Sequence, residues 1–255
     1  MNTQRLIVIV GTAHKVGSTW VFKLVQDLCN LQAAPLPREI LLKKQLNPVD
    51  ADLSEILPYL MKLDGRYILK SHSYPPMELP DDTRINSLKF LTVIRDPRDV
   101  LVSASFYLAN LEQSKGGWGD QYRQQKAGGR IKELIQKGEF ILSRLEKWYR
   151  APYAFNIRYK DLWRAPGREL MNIAAHLGLT FDEETIERVV DRHSFQAITG
   201  RKPGDERENN FHRKGIVGDW KNHFDDDSIK AFKEEKDQRW NRLLVEMGYE
   251  QNMEW

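Results

Sequence analysis

The run Leu6-Ile7-Val8-Ile9-Val10, continued by Gly11-Thr12-Ala13-His14-Lys15-Val16-Gly17-Ser18-Thr19-Trp20, restricts this chain more than any other stretch. Successive apolar, mostly β-branched residues leave no polar face, so they predict a strand buried on both sides, as in a parallel sheet. From Trp20 onward, Val21, Phe22, Leu24, Val25 and Leu28 recur at helical spacing. Strand, glycine-bearing loop and helix N-terminus make an anion site, because unpaired N–H groups and the helix dipole point into the loop. Lys15 adds a positive charge, and Ser18 and Thr19 add hydroxyl donors. The loop should hold a phosphate-like group. Its order is not that of the nucleoside-triphosphate loop, where lysine directly follows the second glycine. Here Lys15 precedes Gly17, and Ser18 stands in the lysine position.

With 255 residues, 41% of them apolar, the chain can bury one sizeable core, and residues 1–255 are expected to form a single domain. A net charge of +3 calls for no polyanionic partner, and no basic stripe is interleaved with aromatics, so nucleic acid is not expected. Cys29, the lone cysteine, lies on an apolar helix face and is expected in the core. Without an intrachain disulfide the chain suits a reducing compartment. No secretory signal is read after Arg5, and no segment reaches the ~20 apolar residues of a membrane span. A soluble, cytoplasmic protein without membrane insertion is the expectation. No His, Cys or carboxylate cluster has metal-ligand spacing, so no metal is expected.

Further strands are predicted at Tyr67–Lys70, Leu88–Ile94 and Ala154–Tyr159. Helices are predicted from Pro97 to about Leu108, over Ile131–Trp148, near Asp161–Leu177, over Asp182–Arg192 and over Asp227–Met247. Asp50–Leu63 could hold another, interrupted at Pro58. Asn110–Gly129 reads as a polar, glycine-dotted lid or binding loop, and Thr199–Glu208 as a mobile polar segment. Strands alternating with helices specify an α/β fold: a central parallel sheet flanked by helices on both faces, with a P-loop-like strand-loop-helix.

Two further blocks carry chemistry. In Val93-Ile94-Arg95-Asp96-Pro97-Arg98-Asp99-Val100-Leu101-Val102-Ser103, Arg95 stands at the carboxyl end of a strand, where open α/β sheets bind ligands. Its forked donors suit a phosphate, and Ser103 can add a hydroxyl. An Arg–Asp cluster capping a helix is the competing reading, since Asp96 and Asp99 suit a helix start. In Phe211-His212-Arg213-Lys214-Gly215-Ile216-Val217-Gly218-Asp219-Trp220-Lys221, two cations precede a glycine whose backbone can approach an anion closely. His72 follows the second strand on the same ligand-binding edge and suits a general base, although a structural histidine is the alternative. His14, His176, His193, His212 and His223 lack that placement.

Together these blocks resemble the cytosolic-type sulfotransferases that use 3′-phosphoadenosine 5′-phosphosulfate (PAPS). The family's loop, Tyr-Pro-Lys-Ser-Gly-Thr-Thr-Trp, appears here with Ala13-His14 for Tyr-Pro and Val16 for Ser. Its Arg-Asn-Pro-Lys-Asp-Val-x-Val-Ser block appears with Asp96 and Arg98 as departures, and Arg-Lys-Gly-x-x-Gly-Asp-Trp-Lys is matched at every fixed position. The resemblance implies that Lys15, Val16, Gly17, Ser18 and Thr19 hold the 5′-phosphosulfate, and that Arg95, Ser103, Arg213, Lys214 and Gly215 hold the 3′-phosphate. It also implies that Trp20 and Phe195, next to Ser194, stack on adenine while Tyr159 hydrogen-bonds to it. For Trp20 and Tyr159 core packing is an equal alternative. By the same resemblance His72 is the base, Lys15 with Lys70 stabilises the leaving group, and Phe106 and Tyr107 line the acceptor pocket; Phe106 reads equally well as core. A small-molecule acceptor, hydroxyl or amine, is implied, while the oligomeric state stays open between monomer and the homodimer of many relatives. Lys221-Asn222-His223-Phe224-Asp225-Asp226 does not, however, reproduce the Lys-x-x-x-Thr-Val dimer motif. The alternatives are a P-loop kinase using ATP and magnesium, and a non-catalytic nucleotide binder. The resemblance places Lys15 at one end of one nucleotide and Arg95 with Arg213 at the other.

Overall fold

The computed structural model describes residues 5–37, 52–110, 125, 127–208 and 210–255. Its elements in chain order are β1 (Leu6–Gly11), α1 (Ser18–Leu28), β2 (Gln32–Ala33), α2 (Leu53–Leu60), β3 (Arg66–Ser71), β4 (Leu88–Ile94), α3 (Pro97–Ala109), α4 (Ala127–Lys137), α5 (Glu139–Tyr149), β5 (Ala154–Arg158), α6 (Tyr159–Arg164), α7 (Pro166–His176), α8 (Glu183–Arg192), α9 (Phe195–Thr199) and α10 (Asp226–Glu246), with 3-10 turns at Thr83–Ser87 and Asp219–Asn222. They fall into two compact units: residues 1–94 with 144–198, and residues 95–143 with 199–255.

The first unit holds a five-stranded sheet in the order β2-β3-β1-β4-β5. Every pairing in it is parallel. All of β1 is buried, as a run without a polar face requires. Ile7 and Ile9 enter a cluster with Leu53, Ile56, Leu57 and Leu60 of α2, Leu69, Phe90 and Trp148. Helix α1 lies against β1, β3 and β4. Because β1 is flanked by β3 on one side and β4 on the other, the chain reverses its winding direction there. The carboxyl end of β1 is therefore the switch point at which sheets of this kind open a ligand crevice.

In the second unit, Asp96 caps α3 by accepting from the Arg98 N–H at 2.9 Å, with Pro97 in the first turn. Arg98 is fully buried. Its guanidinium binds Asp96 and Glu250, each at 2.7 Å, and lies 3.8 and 4.3 Å from the ring centres of Trp220 and Trp255. Asp225 caps α10 through the Ser228 N–H at 2.8 Å.

Several boundaries differ from the sequence reading. The expected helix over 131–148 is two helices: at Gly138 a Cβ would strike the Leu134 carbonyl, and the chain turns there. The expected helix over 161–177 is broken at Ala165, whose φ of −143° suits a residue ahead of a proline. The last helix is interrupted by non-helical residues 235–238, which no periodicity marks. Helix α2 continues through Pro58 to Leu60 and is not interrupted there; its predicted first residues, 50 and 51, lie outside the described ones. The short strand β2 has no counterpart among the predicted strands. Of the proposed lid over 110–129, residues 111–124 and 126 lie outside the described residues, and 127–129 open α4. The 199–208 stretch is tied down rather than loose: the buried Arg201 side chain donates to the carbonyls of Asp205, His212 and Arg213, and the Gly204 N–H donates to Lys214 O at 2.8 Å. Among the described residues no helix is long and apolar enough to cross a membrane.

Candidate active site

In the first unit the loop after β1 is shaped by two left-handed residues, Lys15 (φ 65°) and Gly17 (φ 99°). Gly17 precedes α1, and a Cβ there would come within 2.6 Å of the Tyr159 ring. Only glycine satisfies both the backbone and the contact. The first N–H of α1 with a carbonyl partner is that of Trp20, bound to Gly17 O at 3.0 Å. Those of Gly17, Ser18 and Thr19 have no backbone acceptor among the described residues, which is the anion-binding arrangement of a helix start. Lys70, at the end of β3, donates to the Thr19 hydroxyl at 3.0 Å and so brings its charge to the same turn. The rings of Trp20 and Tyr159 meet edge-on at 6.1 Å, and the buried Trp20 Nε1 has no hydrogen-bond partner among the described residues.

Thr12 ties the strand ends together. Its N–H donates to Ser71 O and its hydroxyl to Val93 O, both at 3.0 Å. Its own carbonyl lies 3.1 Å from His72 Nδ1. A carbonyl can only accept, so Nδ1 carries the hydrogen and the lone pair of the neutral ring is on Nε2. Sequence reasoning does not single out Thr12. It also sets His14 aside as a base; the His14 ring lies 4.2 Å from that of His72, tilted by 37°. Burial first, then the charges of Arg144, Lys15 and Lys70, push the His14 imidazole down to about 4. Phe195 begins α9, and just ahead of it the Ser194 hydroxyl accepts from the Ala197 N–H at 3.1 Å. Cys29 is buried, its thiol pushed up to about 11 chiefly by that burial, which leaves it inert.

The second unit gathers the other set of cations. Arg95 donates to Ile216 O at 3.1 Å, which joins it to the turn carrying Arg213, Lys214 and Gly215 (φ 64°). Arg213 lies 4.3 Å over the Phe106 ring, and Ser103 stands three residues before Phe106 on α3. Asp219 organises the turn by accepting from Arg213, from Lys214 at 2.8 Å and from Asn222 at 2.9 Å, while Glu206 pairs with both cations. Burial works against the Asp219 charge, but His223, Lys214, Arg213 and Asn222 outweigh it and hold the carboxyl well below the usual carboxylate range. Asp99 is buried, which raises its carboxyl; it accepts from the N–H groups of Gly218 and Trp220 at 2.9 and 3.0 Å. Phe106 is buried against His223 at 5.2 Å and Tyr107 is 38% exposed.

The sulfotransferase domain family matches residues 6–243. The chain belongs to that family. Among its relatives, mouse sulfotransferase 1B1 is 28% identical over 233 residues, covering 85% of this chain and 77% of the mouse protein. Rat sulfotransferase 1C2 is 27% identical with the same coverage, 85% and 77%. The fold is shared with mouse sulfotransferase SULT7A1 in its complex with PAP, at a TM-score of 0.66 and 18% identity over 95% of this chain and 89% of that one. It is also shared with retinol dehydratase bound to androsterone and inactive cofactor PAP, at a TM-score of 0.60 and 19% identity over 96% and 82%. Within this sulfotransferase, Lys15, Gly17, Ser18, Thr19, Trp20, Lys70, His72 and Tyr159 all belong to the first unit, on or beside the loop and the strand ends. Arg95, Ser103, Phe106, Arg213, Lys214 and Gly215 belong to the second.

Proposed function

We propose that the chain, acting as one domain over residues 1–255, transfers the sulfuryl group of PAPS to a hydroxyl or amine of a small-molecule acceptor. The relatives are named as sulfotransferases, and two solved proteins of this fold are complexes with PAP, the product of PAPS. Lys15, Val16, Gly17, Ser18 and Thr19 take the 5′-phosphosulfate, and Arg95, Ser103, Arg213, Lys214 and Gly215 the 3′-phosphate. Trp20, Tyr159, Ser194 and Phe195 take the adenine, and Phe106 and Tyr107 belong to the acceptor's side.

One observation carries the reaction: His72 has its Nδ1 held on a backbone carbonyl, which presents Nε2 as a base. Nε2 takes the acceptor's proton as the acceptor oxygen bonds to sulfur. The sulfur–oxygen bond to the 5′-phosphate breaks, and PAP leaves with that bond's electron pair. Lys15 and Lys70 meet the charge that develops on the bridging oxygen. A cytoplasmic location and the absence of a metal requirement belong to the same reading.

Thermal-shift titrations of the full chain with PAP, with adenosine 5′-monophosphate and with magnesium-ATP test it. PAP should stabilise the protein selectively, adenosine 5′-monophosphate less for want of the 3′-phosphate. Stabilisation by magnesium-ATP alone would mark the chain as a kinase. Selective PAP binding with no sulfate transfer to a panel of phenols, alcohols and amines would mark it as a nucleotide binder.

A further inference from the structure

Two carboxylates face the Arg213–Lys214 turn, and their surroundings differ. Asp219 accepts from both cations with a side chain that is 1% exposed, and Asn222 at 2.9 Å and His223 at 3.3 Å meet the same carboxyl. Glu206 pairs with the same two cations, with Lys214 at 3.3 Å, but its side chain is 29% exposed. It is carried on a strap whose backbone is tied on both sides of it. The Gly204 N–H donates to Lys214 O at 2.8 Å, the Arg207 N–H to Arg213 O at 3.0 Å, and Asn110 Nδ2 to Glu208 O at 2.6 Å. The strap is fixed, while the side chain is open enough to turn out to water.

Arg213, Lys214, Asp219 and Glu206 together carry no net charge. A phosphate monoester brings about two negative charges at neutral pH. At this turn it meets cations whose field is already cancelled, unless a carboxylate withdraws. Asp219 cannot withdraw, being buried and held by further partners. Glu206 can. We propose that Glu206 is a displaceable stand-in for the 3′-phosphate: it neutralises Arg213 and Lys214 in the nucleotide-free protein, swings out as the phosphate arrives, and returns as PAP departs. The inference rests on this turn taking the 3′-phosphate, as above. The exchange replaces one carboxylate by a group of higher charge with three acceptor oxygens, which favours binding. The return of Glu206 lowers the cost of uncovering two cations, so it weakens PAP binding and eases product release. Burial opposes the Glu206 charge, but the contacts with Arg213 and Lys214 outweigh it and hold the carboxyl below its usual range, so the group is an anion at neutral pH.

The test uses the full chain and its Glu206→Gln and Glu206→Ala variants. Calorimetric titration gives Kd for PAP and for adenosine 5′-monophosphate, and urea unfolding without nucleotide gives stability. Both variants should bind PAP roughly threefold to thirtyfold more tightly, because two part-exposed ion pairs no longer compete, with adenosine 5′-monophosphate changed by less than about twofold. Without nucleotide neither variant should be more stable than wild type, since those pairs are lost. Asp219→Asn should move PAP affinity the other way. Glu208→Gln, an equal change of net charge on the same strap, should leave it within about twofold. Weaker or unchanged PAP binding in the Glu206 variants would overturn the inference, as would equal tightening for both nucleotides. Tightening by Glu208→Gln to the same degree would also overturn it, since net charge alone would then account for the gain. A wild-type chain that binds PAP no better than adenosine 5′-monophosphate refutes the 3′-phosphate reading and the inference with it. Selective PAP binding that is insensitive to Glu206 refutes the inference alone.

Discussion

Replacing Gly17 by alanine should damage the loop through two separable effects. Gly17 has φ 99° and ψ 15°, in the region L-residues avoid, so the backbone alone costs about 1–2 kcal/mol. The added Cβ would come to 2.6 and 2.7 Å from two Tyr159 ring carbons, where no real Cβ contact sits, and overpacking of this kind costs about 1–3 kcal/mol. The sum is roughly 2–5 kcal/mol. A double-mutant cycle with Tyr159→Ala separates the two parts, because the truncated side chain removes the clash and leaves the backbone cost. Urea unfolding of the four proteins should give a coupling of about 1–3 kcal/mol, with Gly17→Ala much milder in the Tyr159→Ala background. PAP affinity should fall in both proteins that carry Gly17→Ala, since the loop N–H groups are displaced. A cycle additive within about 0.5 kcal/mol would refute the claim that Tyr159 closes over Gly17.

Three further outcomes are expected. The His14 imidazole is depressed from 6.5 to about 4, so below pH 6.5 the unfolded chain takes up a proton that the folded one refuses, and stability is lost as pH falls. Relative to His14→Ala, the wild-type protein should lose about 3 kcal/mol between pH 7 and pH 4, read by urea unfolding across that range; parallel curves would refute it. Arg98→Met leaves buried Asp96 without its cation and should cost about 3–5 kcal/mol in the same assay, while a loss below about 1 kcal/mol would mean that the Trp220 and Trp255 rings alone hold this corner. Asp219→Asn removes the charge that holds Arg213 and Lys214 and should weaken both stability and PAP binding. Because the Asp219 carboxyl is held low, its stabilising effect is present above about pH 4 and lost below, so the gap to wild type should stay constant from pH 8 to pH 5 and close only in stronger acid.

What the sequence made legible follows from the range of the forces involved. β1 is plain because burial on both faces leaves a continuous apolar run, and β4 because its last residues behave in the same way. The phosphate-type loop is plain because glycine at a left-handed position and a helix start have local signatures. β2 has only two residues, both exposed, and owes its strand geometry to pairing with β3, which no local pattern announces. The break at Gly138 is readable from the glycine, but the long apolar stripe on either side hides it. Thr12 and His14 escape notice for the opposite reason, since their importance lies in what the ends of β3 and β4 bring beside them. Arg201 likewise looks like one more cation in a polar segment until its carbonyl partners are seen.

The two cation groups are built on different electrostatic plans. Around His14 every named charge is positive, contributed by the loop, by β3 and by α5. Around Lys214 the charges are those of Asp219 and Glu206, which raise the ammonium even against the effect of burial. The Arg213–Lys214 turn thus carries its own counter-charges and can be held in shape by the protein alone, with Gly215 and Gly218 supplying the left-handed bends. The loop at β1 is held in shape by backbone contacts instead: Thr12 on two strand ends and Gly17 under Tyr159. The positive charges beside it then bear on whatever reacts there. Preorganised positive charge stabilises an anion most where it need not reorganise to do so, and a transferred sulfuryl group develops its negative charge at the leaving oxygen. A rigid backbone cradle with cations beside it fits that demand. A turn whose cations carry their own carboxylates would suit the role proposed for it, recognising a phosphate that does not react.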